Sequence, residues 1–222
     1  MATAEGSSSQ VTYDHIFKII LIGDNGVGKS SFIRRFCEGS YVANMETTVG
    51  VDFYLSEIDI NGKKIKVKIW DTAGSEKYMS ISAVYYRKAD GVVFVFDVTK
   101  PRSFTNIETI WMNAVDAPES GCPEAIKLLV GNKCDLPAEV DLSQAKRYAE
   151  LHDMLFLEAS AKNNHNVREC FLHLAREICE LKAQQQPQTF PNADLTPSIK
   201  LKQSYPVERE SQKEGGGGGC SC

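Results

Sequence analysis

The chain has 222 residues, of which 42% are hydrophobic and 24% are charged, and these values are typical of one globular domain with tails. Its formal net charge of −4 excludes the excess of lysine and arginine by which proteins bind nucleic acid, so we expect no nucleic-acid partner. No apolar run approaches the roughly 20 residues that span a bilayer, and residues 1–10 lack the features of a signal peptide, so we expect a cytosolic chain.

The first predicted elements are a buried strand, a helix and a hairpin. Residues 17–22 form a nearly continuous apolar run that leads into a glycine-rich turn, which indicates a strand buried on both faces. A helix is expected over residues 29–38. In residues 51–70, apolar residues and lysines alternate after a tight Asn61-Gly62 turn, and this pattern predicts an antiparallel edge hairpin with one wet face.

The rest of the folded region alternates strands with helices. Apolar runs predict strands, and apolar stripes predict helices, at residues 92–98, 103–117, 126–130, 142–152, 155–157 and 167–182. This order predicts an α/β fold with a mostly parallel six-stranded sheet, one antiparallel edge hairpin and helices on both faces. Residues 1–15 form a flexible extension in this prediction, and residues 183–222, rich in Gln, Pro, Ser and Gly, form no packed structure.

A phosphate-binding motif follows the first strand. Residues 23–30 read Gly-Asp-Asn-Gly-Val-Gly-Lys-Ser, which matches G-x-x-x-x-G-K-[ST] at the point where a strand enters a helix. In such a P-loop, backbone N–H groups surround the phosphates, Lys29 neutralises the β- and γ-phosphates, and the Ser30 hydroxyl reaches Mg²⁺. The expected phosphate-binding residues are Asn25, Gly26, Val27, Gly28, Lys29, Ser30 and Ser31.

Two polar segments follow later strands and identify the base. They are Asn132-Lys133-Cys134-Asp135 and Ser160-Ala161-Lys162, and together with the P-loop they resemble the motifs of small GTPases. The resemblance implies the P-loop small-GTPase fold over residues 16–182, with Asp135 accepting from guanine N1 and N2 and the Ala161 N–H meeting O6. Adenine would leave both groups unpaired, so GTP and GDP are favoured over ATP. A P-loop kinase or ATPase is the more distant alternative.

The same resemblance assigns the residues around the γ-phosphate. Asp71, in Asp71-Thr72-Ala73-Gly74, holds Mg²⁺ through water, and Gly74 bonds the γ-phosphate. Thr48 joins Mg²⁺ in the triphosphate state, although Thr47 beside it has the same hydroxyl, and Tyr41 stacks on the guanine. The implied metal ligands are thus Ser30, Thr48 and Asp71, and the implied catalytic residues are Lys29, Thr48 and position 75.

Within the small GTPases the chain resembles a Rab protein. The matching segments are residues 49–53, 68–74 and 84–87 and the terminal Cys-Ser-Cys. The resemblance implies a molecular switch in vesicle and membrane trafficking, whose effectors read the aromatic triad Phe53, Trp70 and Tyr85 between the switches. It also implies an exchange factor, an activating protein, a GDP-dissociation inhibitor, and the Rab escort protein with its geranylgeranyl transferase. Core packing is the plainer interpretation of the triad.

Position 75 departs from the family pattern, because Ser75 stands where the family has the glutamine that orients the attacking water. A serine lacks the reach and the second polar atom of an amide, so we expect slow intrinsic hydrolysis. A scaffold held permanently in the GTP state is the alternative. Activating proteins with a TBC domain supply their own glutamine, so stimulated hydrolysis is compatible with Ser75. Asn25 is either a contact of the γ-phosphate or an ordinary polar turn residue.

The last residues resemble a lipidation signal. Cys220 and Cys222 end the chain in the Cys-x-Cys form of double geranylgeranylation, whereas a C-a-a-X box is absent. Charges balance in residues 183–219, so membrane binding is expected to need both lipids. We therefore expect a cytosolic protein that cycles to the cytoplasmic face of an intracellular membrane.

Overall fold

The computed structural model describes residues 12–43, 45–74, 85–118 and 121–185. Six strands in this part of the chain form one sheet, and they are β1 (His15–Ile22), β2 (Val51–Ile60), β3 (Lys63–Thr72), β4 (Gly91–Asp97), β5 (Ile126–Asn132) and β6 (Leu155–Ala159). Their order is β2-β3-β1-β4-β5-β6, with β2 and β3 antiparallel and the other neighbours parallel. The predicted α/β fold with an antiparallel edge hairpin is confirmed.

Helices cover both faces of the sheet. They are α1 (Lys29–Glu38), α2 (Pro101–Asn106), α3 (Met112–Asp116), α4 (Leu142–Leu151) and α5 (Val167–Gln185). Side chains of β1 divide between two hydrophobic clusters, with Phe17, Ile19 and Leu21 packed among residues of α1 and α5, and Ile20 and Ile22 packed among residues of α2, α3 and α4. Because successive strand residues point to opposite faces, a nearly continuous apolar run serves two cores at once.

The helix predicted at residues 103–117 is interrupted. It begins at Pro101, where the missing N–H costs nothing in the first turn, and a π-helical turn at Ile107–Trp111 separates α2 from α3. The N–H of Met112 donates to the carbonyl of Ile107, a step of five residues instead of four. Apolar spacing at three and four residues fits both kinds of turn, so the sequence pattern did not reveal the wider one.

The parallel strands all end at the same edge of the sheet. The P-loop follows β1, and Asp71, Asp97, Asn132 and Ala159 lie at or near the ends of the other core strands. Ligands of open α/β sheets bind at this edge. None of the helices in the described ranges is long and apolar enough to span a membrane.

Candidate functional site

Two adjoining cavities lie at the carboxyl edge of the sheet. Both open to solvent, and their empty space including that opening is about 690 Å³ and about 480 Å³. Gly28, Ser31, Tyr41 and Lys133 line both. The first cavity is also lined by Asn25, Gly26, Lys29, Ser30, Thr47, Thr48 and Gly74, and the second by Asn132, Asp135, Ala161 and Lys162. The fold therefore brings together residues from the P-loop, residues 41–48, and the ends of β3, β5 and β6.

The buried side chain of Lys29 lines the first cavity at the start of α1. Gly28 precedes the helix with a φ of 98°, and as a glycine it gives the leading N–H groups of α1 no side-chain cap. Lys29 is 5% exposed, and its Nζ donates to the carbonyls of Gly23 at 2.8 Å and Asp24 at 2.9 Å. Burial lowers the pKa of Lys29 to about 8, against the opposing charges of Asp71 and Asp24. Free N–H groups and an ammonium at a helix N-terminus suit a phosphate.

Two hydroxyls and a buried carboxylate meet beside Lys29. The Ser30 Oγ lies 2.8 Å from the Thr48 Oγ1, so Thr48 and not Thr47 is the threonine whose hydroxyl bonds Ser30. Asp71 is fully buried, and neither of its carboxylate oxygens accepts a hydrogen bond of normal geometry within the described ranges. Burial raises the pKa of Asp71, although nearby Ser30 and Lys29 lower it. A buried carboxylate without partners beside two hydroxyls fits a hard divalent cation.

Protein carboxylates alone would not hold such an ion. The described residues contain no cluster of three or more His, Cys, Asp or Glu side chains. Magnesium commonly takes one or two protein ligands, keeps several waters and completes its shell with substrate phosphates. The arrangement at Ser30, Thr48 and Asp71 matches that pattern.

The ends of β4 and β5 fasten the P-loop from behind. The Asn132 Nδ2 donates to the Val27 carbonyl at 2.8 Å, and the Asn132 Oδ1 accepts from the Ala161 N–H at 3.3 Å. The Lys133 Nζ donates to the Gly26 carbonyl at 2.9 Å and lies 2.7 Å from the Asp97 Oδ2. Burial raises the pKa of Asp97, but hydrogen bonds from Lys133 and Thr99 outweigh it, and the resulting pKa is below the ordinary value.

The second cavity carries an oriented carboxylate. The Ser160 Oγ donates to the Asp135 Oδ1 at 2.6 Å, and the Lys162 Nζ lies 3.7 Å from Oδ2. Asp135 is held with 6% of its side chain exposed. The Arg35 Nε of α1 donates to the Ala161 carbonyl at 2.8 Å, which ties this loop to the helix behind the P-loop. Because a carboxylate accepts hydrogen bonds, its fixed position suits a ligand group that donates them.

Comparisons with known proteins agree with this geometry. Residues 18–180 match the model of the Ras family. The Ras-related protein Rab-1D of Dictyostelium discoideum is 48% identical over 168 residues, which are 75% of this chain and 81% of that protein. The Ras-related protein Rab-13 of Canis lupus familiaris is 46% identical over 168 residues, with the same coverage of 75% and 81%. The GTP-binding protein YPTM1 of Zea mays is 41% identical over 205 residues, which are 90% of this chain and 95% of that protein.

The chain is a Rab-type small GTPase of the Ras family. It therefore binds guanine nucleotides, belongs to a family of GTP hydrolases that act in membrane trafficking, and has the regulators and effectors that such proteins share in general. The kinase and ATPase alternative is set aside.

Three aromatic side chains of this Rab protein form a row that starts on the β2–β3 hairpin and ends at Tyr85, which precedes β4. The ring centroids of Phe53 and Trp70 are 4.8 Å apart, and those of Trp70 and Tyr85 are 4.9 Å apart. Phe53 is 45% exposed, whereas Trp70 and Tyr85 are partly buried against the core. The row is thus both part of the packing and open at one end.

Some predicted residues lie outside the described ranges, and some important ones were not predicted. Ser75, Cys220 and Cys222 are outside the described residues. Asp97, which pairs with Lys133, was missed, although a carboxylate ending a wholly apolar strand was a usable signal. Arg35 gave no signal, because a basic residue on an amphipathic helix looks like an ordinary solvated one.

Proposed function

We propose that this Rab protein is a switch in which the two adjoining cavities hold one guanine nucleotide with Mg²⁺. The observation that carries the proposal is that the two cavities share lining residues and so adjoin each other. The buried Lys29 lines the first cavity, and the carboxylate of Asp135 lines the second. The phosphates would lie on the N–H groups of residues 25–31, and Tyr41 and Lys133 would flank the guanosine. The other proposed nucleotide-binding residues are Thr48, Gly74, Asn132, Ser160, Ala161 and Lys162, within a domain of residues 16–182.

The guanine would be read by Asp135. Its carboxylate, already oriented by Ser160, would accept hydrogen bonds from guanine N1 and N2, and the long bond of the Ala161 N–H leaves that group to meet O6. Asp135→Asn turns half of the acceptor into a donor, so we expect GDP affinity to fall at least a hundredfold, because buried groups are left unpaired. The matched control is Asp116→Asn, at an exposed carboxylate paired with Lys127. Equal affinities in both variants would refute the assignment.

Magnesium would be held by Ser30 and Thr48, with Asp71 bonding a water of its shell. An Mg²⁺ held by these residues would supply positive charge that neutralises the phosphates. Thr48 lies in residues 45–50, which lead into β2. Through its hydroxyl, the binding of a triphosphate would set the position of that segment. The nucleotide that co-purifies with the protein is the first test of the cycle, since GDP indicates turnover and GTP indicates arrest.

Hydrolysis is proposed to be slow because of Ser75. The role of the missing glutamine is to orient water, and lost orientation slows a reaction about tenfold for each 1.4 kcal/mol. Single-turnover hydrolysis by the native protein and by Ser75→Gln measures the effect directly. We expect the variant to be at least tenfold faster, and equal rates would refute the proposal. A native rate too slow to measure, without stimulation by an activating protein, favours the permanent GTP-state scaffold instead.

Effector binding is proposed at the aromatic row. Ordering of the segments around the γ-phosphate would complete a surface that includes Phe53, Trp70 and Tyr85, so effectors would bind the GTP state. Phe53 is the most exposed of the three. Phe53→Ala should therefore weaken effector binding with little effect on nucleotide affinity.

Membrane binding is proposed through prenyl groups on Cys220 and Cys222, at the end of the tail that follows α5. One lipid chain gives only marginal binding, so two are needed. We expect replacement of both cysteines by serine to leave the protein in the cytosolic fraction of cells, while Ser221→Ala changes nothing. Pelleting of the double variant with membranes would contradict the proposal.

A further inference from the structure

The carboxylate of Asp24 points away from the nucleotide cavity and is held by the helix beside it. The Asn106 Nδ2 donates to its Oδ2 at 2.7 Å, and the Trp111 Nε1 donates to its Oδ1 at 2.8 Å. Both bonds are charge-assisted, and Trp111 is 2% exposed, so solvent competes little for its N–H. These three residues are called the Asp24 clamp.

The π-helical turn is what allows both donors to reach one carboxylate. Asn106 is the last residue of α2 and Trp111 is the last residue of the π turn, five positions later. In an α-helix, residues five apart point in directions that differ by roughly 140°, because 3.6 residues make a turn. A turn closed by a five-residue hydrogen bond brings such residues close to the same side. The irregular turn and the clamp are therefore one feature.

The backbone of Asp24 contacts residues that line the part of the nucleotide cavity proposed for the phosphates. Its carbonyl accepts from the Lys29 Nζ at 2.9 Å. Gly74 packs so closely on the Asp24–Asn25 peptide that an added Cβ would overlap the backbone atoms of both residues. Asn25 and Gly74 line the nucleotide cavity. They also line a separate open pocket of about 590 Å³, which Asn106 and Trp111 line as well. One peptide thus separates the clamp from the place proposed for the γ-phosphate.

We propose that Asn106 and Trp111 are positioning residues that act through Asp24 and set the affinity of the protein for a triphosphate relative to a diphosphate. The inference rests on the proposed function, in which the γ-phosphate lies between Asn25 and Gly74. When the clamp is closed, the Asp24–Asn25 peptide is fixed where Gly74 packs against it. When the clamp is broken, that peptide moves and the γ-phosphate loses its neighbours, whereas a diphosphate does not reach them. The helix from Pro101 to Asp116 is thereby coupled to the nucleotide state.

The test is an exchange of the two polar side chains. Asn106→Asp places a second carboxylate against Asp24 and should open the clamp by repulsion. Combined with Asp24→Asn, it restores an amide opposite a carboxylate. Asn113→Asp is the matched control, because Asn113 is on the same helix and its Nδ2 donates only to the Thr109 carbonyl at an exposed position.

Dissociation rates of fluorescent GDP and of a fluorescent non-hydrolysable GTP analogue, both with Mg²⁺, are measured by stopped flow. For Asn106→Asp we expect the analogue to leave about ten times faster, which corresponds to about 1.4 kcal/mol, and GDP to change less than twofold. The exchanged pair should return within twofold of the native protein, and the control should not change. Equal acceleration of both nucleotides, or no rescue by the exchange, would overturn the proposal.

A second variant covers the case in which Asn106→Asp does not fold. Trp111→Phe keeps an aromatic ring in the core and removes only the N–H, so the analogue should leave about three times faster while GDP is unchanged. No difference between the two nucleotides in this variant would also overturn the clamp. If the native protein itself fails to retain either nucleotide, the proposed function is wrong. If it retains both and the clamp variants release them as the native protein does, only the clamp proposal is wrong.

Discussion

Removing the charge of Lys133 should destabilise the protein by leaving Asp97 buried without its partner. The Lys133 Nζ lies 2.7 Å from the Asp97 Oδ2, and only 1% of the Asp97 side chain is exposed. Breaking a buried ion pair costs about 3–5 kcal/mol. The Asp97 Oδ1 keeps two hydrogen bonds from Thr99, at 3.0 Å and 2.7 Å, and Lys133 is 31% exposed, so we expect the lower end, about 3 kcal/mol, for Lys133→Met.

The assay is urea unfolding of the native protein, Lys133→Met, Asp97→Asn and the double variant at fixed GDP and Mg²⁺. Lys133 also lines the nucleotide cavity, so the GDP affinity of each protein is measured and its contribution to stability is subtracted. Residues in direct contact should show a coupling energy of at least about 1.5 kcal/mol. Lys162→Met is the matched control, since its ammonium lies 3.7 Å from Asp135 with 60% of the side chain exposed, and its cost should stay below about 1 kcal/mol.

The acid limb of the stability curve gives an independent check. The pKa of Asp97 is lowered in the folded protein, so the unfolded chain takes up this proton first as the pH falls. The stabilisation is therefore present above about pH 4, the ordinary pKa of an aspartate, and is lost as the pH falls through the folded pKa. Lys133→Met should raise the folded pKa of Asp97 and so make that acid-dependent loss of stability smaller. Additive effects of the two single variants, within about 0.5 kcal/mol, would refute the reasoning.

Three further outcomes are expected. Because burial lowers the pKa of Lys29 to about 8, GDP binding at pH 8 should take up about half a proton, which calorimetry in two buffers measures. The affinity for GDP should fall at higher pH. The free energy of unfolding of the nucleotide-free protein should rise over the same range. Asp71→Asn should remove most of the Mg²⁺-dependent slowing of GDP release and leave release in EDTA within twofold. Gly28→Ala should weaken GDP binding at least tenfold in equilibrium titration, since its Cβ would lie 2.5 Å from the Asn132 Nδ2 at a φ of 98°.

Much of this protein could be predicted from local pattern. The apolar runs of the parallel strands and the fixed spacing of the P-loop act through neighbours in sequence, so the fold was predicted from short segments alone. The segments proposed to read the base were identified by their resemblance to small GTPases. Contacts between distant segments were different. The Lys133 side chain was assigned to the nucleotide, but its bond to Asp97 joins the ends of two strands, and no local pattern encodes that pairing.

The π turn shows a second limit. Periodicity reports which side chains are buried, and Ile107, Trp111 and Val115 are buried at spacings that an α-helix satisfies equally well. The wider turn is revealed by the positions of polar atoms, namely the Met112 N–H that donates to the Ile107 carbonyl and the two donors that reach Asp24. The sequence pattern predicted the core of this helix correctly and could not indicate its hydrogen-bond register.

The amide of Asn132 has a consequence for how nucleotide leaves. One side chain donates to the Val27 carbonyl in the P-loop and accepts from the Ala161 N–H in the loop proposed to read the base. Displacing either loop breaks a bond that steadies the other, so the two loops are expected to open as one cooperative unit. A protein that catalyses exchange then needs to displace only one of the two loops. The base and the phosphates of the nucleotide should be released in a single kinetic phase.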